Sequence, residues 1–251
     1  MFFQGFYRTM KSRQSTLWLS ASILLIELSG ISSSVLNCPA GCSCPRENAV
    51  ICHGISVFPN LTAAAPSIFS DFEFTDCKFT GSILPQVPQA YANATSLSLR
   101  NCITVIDDDA FRFLENLINL TVTGHRQLNF SSPKPFRFLR SLCRLDLSDN
   151  GLSALPRQLC FGIPVLRFFD ASHNHLDAIE TDTFQDCNRT LEEVHLMNNS
   201  FTTLSYTCLP WFYLSYADMS ENPWKCDCQL LWVGEHQENH FSGARWDFMF
   251  S

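Results

Sequence analysis

A Leu-x-Leu-x-x-Asn pattern of apolar and polar positions recurs through most of the chain at a nearly constant period. Its closing residues are Cys77, Cys102, His125, Asn150, Asn174, Asn199 and Asn222, at intervals of 25, 23, 25, 24, 25 and 23 residues. Self-similarity of this kind marks a repeat array, in which one copy cannot bury its apolar face alone. The period-two apolar pair in each copy predicts one short strand, and copies stacked side by side build a continuous parallel sheet. After the strand the polar residue turns inward, where an amide can satisfy backbone N–H and C=O groups that the bending chain buries.

The regular copies run through Leu142, Leu145, Leu147 and Asn150, then Leu166, Phe169, Ala171 and Asn174, then Leu191, Val194, Leu196 and Asn199. Earlier copies are degenerate, with Phe72 and Phe74 before Cys77, Leu97 and Leu99 before Cys102, and Leu120 and Val122 before His125. A thiol is a weak donor and an imidazole is bulkier than an amide, so the N-terminal half of the ladder is expected to be the less regular half. Phe111, Phe136, Phe161 and Phe184 fall at similar places in successive copies and predict a stacked aromatic spine behind the sheet.

These copies resemble the leucine-rich repeat. The resemblance implies a repeat solenoid: a curved superhelix with a concave parallel β-sheet and a mostly irregular or short-helical convex side, with about six to seven repeats over residues 62–221. Cys38-x-x-x-Cys42-x-Cys44, completed by Cys52, looks like the N-terminal cysteine cap of the extracellular members, here residues 35–61. Such a cap covers the open edge and core of the first repeat. The family's pairing carries over as Cys38 to Cys44 and Cys42 to Cys52. A zinc site is the competing reading, and an oxidising compartment argues against it. Residues 222–251, with Asn222, Trp224, Cys226, Cys228 and Trp232, resemble the opening of the C-terminal cap. Only Cys226 and Cys228 of that cap's four cysteines occur before Ser251. The expectation is an unpaired, partial cap in a truncated isoform or fragment of a longer receptor, with Leu230, Leu231, Trp232 and Val233 forming an exposed apolar patch.

Export follows from residues 1–34, where Arg8, Lys11 and Arg13 precede the apolar run Leu17 to Ile26 and the small residues Ser32, Ser33 and Ser34. This is the layout of a signal peptide, and the run is short of the roughly 20 residues a bilayer requires. No later segment reads as a membrane span. Twelve cysteines agree with an oxidising compartment. Six of them, Cys77, Cys102, Cys143, Cys160, Cys187 and Cys208, lie inside the array and read mainly as small buried hydrophobes. A bridge from Cys77 to Cys102 is within steric reach without being required, and Cys143 alone points to the concave side. N-glycosylation sequons begin at Asn60, Asn93, Asn119, Asn129, Asn188 and Asn198. Asn119 and Asn198 are assigned to outward strand positions, where a glycan would obstruct docking.

Net charge is −7, an acidic balance that disfavours nucleic acid and suits a basic protein partner or plain solubility. Side-chain alternation puts Asp146, Asp170, His195 and Asp218 in one outward column, with Arg144 and Arg167 beside them. These six are the candidate partner-binding residues. His173-x-His175 flanks a ladder residue and is no metal pair in that frame, and neither a cofactor site nor a catalytic constellation is evident. The function expected is therefore a secreted or cell-surface binding module, the ectodomain of an adhesion or signalling receptor. A matrix-associated secreted protein is the alternative reading.

Overall fold

The computed structural model describes residues 38–61, 68–225, 230, 232 and 245–247. The proposed signal peptide and the cap residues Cys226 and Cys228 lie outside the described residues. The described part begins with the hairpin β1 (Cys42–Arg46) and β2 (Ala49–His53), in which Cys42 lies opposite Cys52. The repeat strands follow as β3 (Asp71–Thr75), β5 (Ser96–Arg100), β7 (Asn119–Thr123), β9 (Arg144–Asp146), β10 (Phe168–Asp170), β11 (Glu193–His195) and β12 (Tyr216–Asp218). Between the earlier ones lie the short strands β4 (Ile83–Leu84), β6 (Val105–Ile106) and β8 (Asn129–Phe130), and β13 (Arg245–Asp247) comes last.

Two sheets result. The long one has the order β1-β2-β3-β5-β7-β9-β10-β11-β12-β13 and is parallel from β2 onward, while β4-β6-β8 form a small parallel sheet of their own. This is the leucine-rich-repeat solenoid, a ladder of turns with little helix. Period-two alternation decides its faces. Phe72 and Phe74, Leu97 and Leu99, Leu120 and Val122, and Leu145 and Leu147 point inward and are buried, as are their later counterparts Phe169 and Ala171, Val194 and Leu196, and Ala217 and Met219.

The N-terminal half is less regular in its ladder, where a disulfide and an imidazole stand in place of amides, but not in its strands. β3, β5 and β7 are five residues long and pair without a slip, whereas β9 to β12 have three residues each. Aromatics pack behind the first of these strands. Phe72 lies 4.6 Å from Tyr91 between ring centroids, and the buried Tyr91 hydroxyl donates to Pro59 O at 2.8 Å.

The aromatic spine is shorter than four rings. Phe111 stacks on Phe136 at 6.0 Å and Phe184 meets Phe169 at 5.2 Å, but Phe161 is 41% exposed, with the Lys134 ammonium 3.8 Å above its ring. The slot nine residues before the strand residue, filled by Phe111 and Phe136 in their repeats, falls on Cys160, so Phe161 turns outward. Gly162 follows for a steric reason. Its φ is +84° and a Cβ there would lie 2.3 Å from Arg137 O.

Stacking also corrects the reading of the interior cysteines as buried thiols. Cys77 is bonded to Cys102 and Cys160 to Cys187. Adjacent turns of a parallel sheet lie about 4.8 Å apart, which brings the ladder residues Cys77 and Cys102, and Cys160 and Cys187 of neighbouring turns, within bridging range. In the cap, Cys38 is bonded to Cys44 and Cys42 to Cys52, leaving no thiolate of these four for zinc. Cys208 is buried and free, and burial pushes its thiol up to about 12. Cys143 is free and half-buried. Leu230 is buried, and Trp232 packs on Trp211 at 4.8 Å and donates Nε1–H to Leu204 O at 3.0 Å, so these two residues are not part of an exposed patch.

Candidate functional site

The turn after each strand is built from two columns. Asp76, Asn101, Gly124, Asp149, His173, Asn198 and Glu221 all have positive φ, a conformation Gly, Asn and Asp accept most readily. Each directly precedes a ladder residue. Behind them Asn174 makes five bonds: its Oδ1 accepts from the N–H of Asn150 (3.1 Å) and Leu152 (2.9 Å), and its Nδ2 donates to the carbonyls of Leu147, Ala171 and Ser172. Asn222 makes the same five bonds, whereas Asn150 Oδ1 accepts from the backbone and ring N–H of His125, Asn199 Oδ1 accepts from the Leu176 N–H, and both amides donate Nδ2 to turn and neighbouring carbonyls.

His125 is the junction with the earlier half. Its Nε2 accepts from the Cys102 N–H at 2.9 Å, which fixes the ring proton on Nδ1, and that N–H donates to Asn150 Oδ1 at 2.9 Å. Burial holds its pKa below the ordinary imidazole value, against the opposing pull of Asn150 and Asp149. Cys77 and Cys102 do not act as amide substitutes, because their sulfurs are bonded to each other.

The solvent-facing side of β9 to β12 carries an unbroken run of cation and rings. The Arg144 guanidinium lies 3.8 Å above the Phe168 ring, Phe168 is 5.0 Å from the His195 ring, and His195 is 5.1 Å from Tyr216. Parallel pairing sets Arg144 beside Phe168, Phe168 beside Glu193 and Glu193 beside Tyr216, so these four share a column. His195 stands in the next column with Asp146, Asp170 and Asp218 and bridges the gap between the rings. Arg167 is paired with Glu192 at 3.1 Å, outside this run.

Phe168 is the residue that sequence reading passes over. It sits beside the core residue Phe169 and looks like more core, although strand alternation already turns it outward. The three aspartates are less free than their column suggests. In each, Oδ1 accepts from the backbone N–H and hydroxyl of the serine two residues on: Asp146 from Ser148 (2.9 and 2.7 Å), Asp170 from Ser172 (2.8 and 2.7 Å) and Asp218 from Ser220 (3.0 and 2.6 Å). One oxygen of each carboxylate is thus committed to closing its own turn.

Of the sequons, Asn60, Asn93, Asn129 and Asn188 are exposed. Asn119 is half-buried at the start of β7, on the exposed side of the sheet. Asn198 does not lie on a strand. It occupies the turn after β11 at φ +53°, with its amide 2.9 Å from His173 Nδ1. Its outward strand assignment therefore fails, because Asn198 occupies the left-handed position before ladder residue Asn199. Among the described residues no group of three or more His, Cys, Asp or Glu could hold a metal ion, and no helix is long and apolar enough to cross a membrane.

The leucine rich repeat family matches residues 119–176. Mouse trophoblast glycoprotein is 35% identical over 95 residues, 37% of this chain and 22% of that protein. The protein of the same name from Macaca fascicularis is 32% identical over 97 residues, 38% of this chain and 23% of that one. Leucine-rich repeat-containing protein 3 of Danio rerio is 26% identical over 86 residues, 34% of this chain and 32% of the relative. The matched stretches therefore span less than a third of each of these three relatives. The solved structure of human 5T4 (trophoblast glycoprotein) aligns with a TM-score of 0.57 at 22% identity, over 83% of this chain and 88% of that one, a likeness of fold.

Proposed function

We propose that this chain, whose fold is the leucine-rich-repeat solenoid, is an extracellular protein-binding module that takes its partner on the exposed face of β9 to β12. The observation that carries this reading is the run Arg144, Phe168, His195 and Tyr216. Rings held half-exposed on a sheet face disfavour solubility, whereas Tyr, Phe and Arg are the groups that anchor interface centres. The second oxygens of Asp146, Asp170 and Asp218 lie beside the run and favour a partner with basic groups. Arg167 and its Glu192 pair form part of the rim. A glycan on Asn119 of β7 would border this face and leave β9 to β12 open.

Four disulfides fit an extracellular protein, and the mouse and macaque relatives are glycoproteins by name. These support export through the signal peptide of residues 1–34 and glycan attachment at the exposed sequons. The role is that of a receptor-type ectodomain, and it is binding rather than catalytic.

The test replaces Phe168 and Tyr216 with serine, since both side chains lie outside the core. The secreted double variant should keep its melting temperature and lose at least roughly tenfold in affinity for the cell surface or matrix that the wild type binds. Unaltered binding by a well-folded Phe168→Ser/Tyr216→Ser protein would move the contact elsewhere.

A further inference from the structure

Away from the sheet face, a groove of about 370 Å³ lies between the turn Gln185–Cys187 and the segment 206–213. Its wall is unusually aromatic for a surface. Phe212 is 74% exposed, Tyr213 47% and Tyr206 40%. The Phe212 and Tyr213 rings meet edge to face at 5.4 Å, and below them the buried Trp211 packs on Trp232. Three neighbouring exposed rings on a rigid base call for a cover.

Asn188 lines the same groove and opens the sequon Asn188-Arg189-Thr190. Its backbone is well held. Asn188 closes the 3-10 turn Gln185–Cys187, the preceding Cys187 is bonded to Cys160, and the Thr190 hydroxyl donates to Cys187 O at 3.2 Å. A branch growing from the Asn188 amide therefore starts at the lip of the aromatic groove.

We infer that this groove seats the chain's own N-linked glycan on Asn188, with the first N-acetylglucosamine lying on Phe212 and Tyr213. The inference rests on the secretory reading above. The donor is an oligosaccharide carried on a polyprenyl diphosphate. Asn188 Nδ2 bonds to the sugar C1, the bond from C1 to the diphosphate oxygen breaks, the polyprenyl diphosphate leaves with that electron pair, and Nδ2 gives up one proton to solvent. No electron donor or acceptor is needed.

Chemistry matches the ligand to the groove. A pyranose presents an apolar C–H face and a rim of hydroxyls, and C–H groups make weak favourable contacts with ring faces. Thr181, Gln185 and Thr207 line the same groove and offer donors and acceptors to the hydroxyls and acetamido group. The arrangement turns an exposed aromatic patch into a covered one without any second protein.

The experiment uses the full chain secreted from cells that leave high-mannose glycans, trimmed enzymatically to a single N-acetylglucosamine per site. Glycopeptide mass spectrometry reads which sequons are occupied, and NMR reads the N-acetyl methyl signals. The expected result is an occupied Asn188 and one methyl resonance displaced upfield by ring current. That signal should be missing in Thr190→Ala and return to the common position in Phe212→Ser. The inference is overturned if Asn188 is bare while other sequons carry sugar, or if Asn188 is occupied and every methyl signal sits at the solvent-exposed position. A secreted chain without sugar at any sequon would overturn the glycan reading as a whole, and a chain that never leaves the cell interior would overturn the secretory reading beneath it.

Discussion

Between Cys77 and His125 the turns after the strands are held by a disulfide and an imidazole, whereas from Asn150 to Asn222 they are held by four amides. The strands differ in the same sense, five residues long in β3, β5 and β7 and three in β9 to β12. Hydrogen bonding explains the change. In the later half the ladder amide donates to the neighbouring carbonyl that the next strand N–H would otherwise meet, as Asn150 Nδ2 does to Val122 O at 2.6 Å. The displaced N–H, that of Ser148, goes to the Asp146 carboxylate. Side chains thus take over the last rung, and β9, β10 and β12 end early. One backbone frame is closed covalently in one half and by a relay of side-chain bonds in the other.

Breaking the covalent half should have the largest effect. Replacing both Cys77 and Cys102 with alanine removes a crosslink spanning 25 residues and should cost about 3 kcal/mol, read as a fall in the denaturant midpoint. In the relay half, Asn174→Ala leaves two N–H donors and three carbonyls short of a partner and should cost about 2 kcal/mol, less than the crosslink because solvent and relaxation recover part of the loss. An unchanged midpoint in either variant would mean that the turn is held by something else.

The smallest effect sharpens the boundary between the halves. Burial depresses the folded pKa of His125 relative to the unfolded chain, so folding favours the neutral ring. Its contribution is complete above the ordinary imidazole value of about 6.5 and is lost as pH falls through the lower folded value. Protonation would also remove the Nε2 lone pair that accepts from Cys102. Asn in place of His125 extends the amide relay by one position and should abolish this part of the acid slope in a pH series of melting temperatures. An identical slope in wild type and His125→Asn would assign it to other groups.

Much of this organisation is legible in the sequence because strand period and repeat period are both local counts. Asn150, Asn174, Asn199 and Asn222 and the buried pairs before them follow from spacing alone. What spacing does not carry is distance between copies. The bonds Cys77–Cys102 and Cys160–Cys187 depend on how successive turns stack, and an offset of one residue puts Cys160 rather than Phe161 in the spine. The proposed binding face is half legible. Asp146, Asp170 and Asp218 stand in their column, but the carboxylate bonds to serine reveal a structural duty, so an aspartate-to-lysine exchange there would disturb the turns as well as the charge. Phe168 was hidden by its apolar neighbour.

Residue-resolved hydrogen exchange on wild type and the Cys77→Ala/Cys102→Ala variant tests most directly whether the two halves are held by different means. Repeat arrays open by neighbouring units, so the loss of protection should concentrate in β3 and β5 and leave the amides of Asn150, Leu152 and Leu176, which bond to ladder side chains, close to their wild-type rates. A uniform loss of protection from β3 through β12 would contradict the account and make the array one cooperative unit with the crosslink as a general brace.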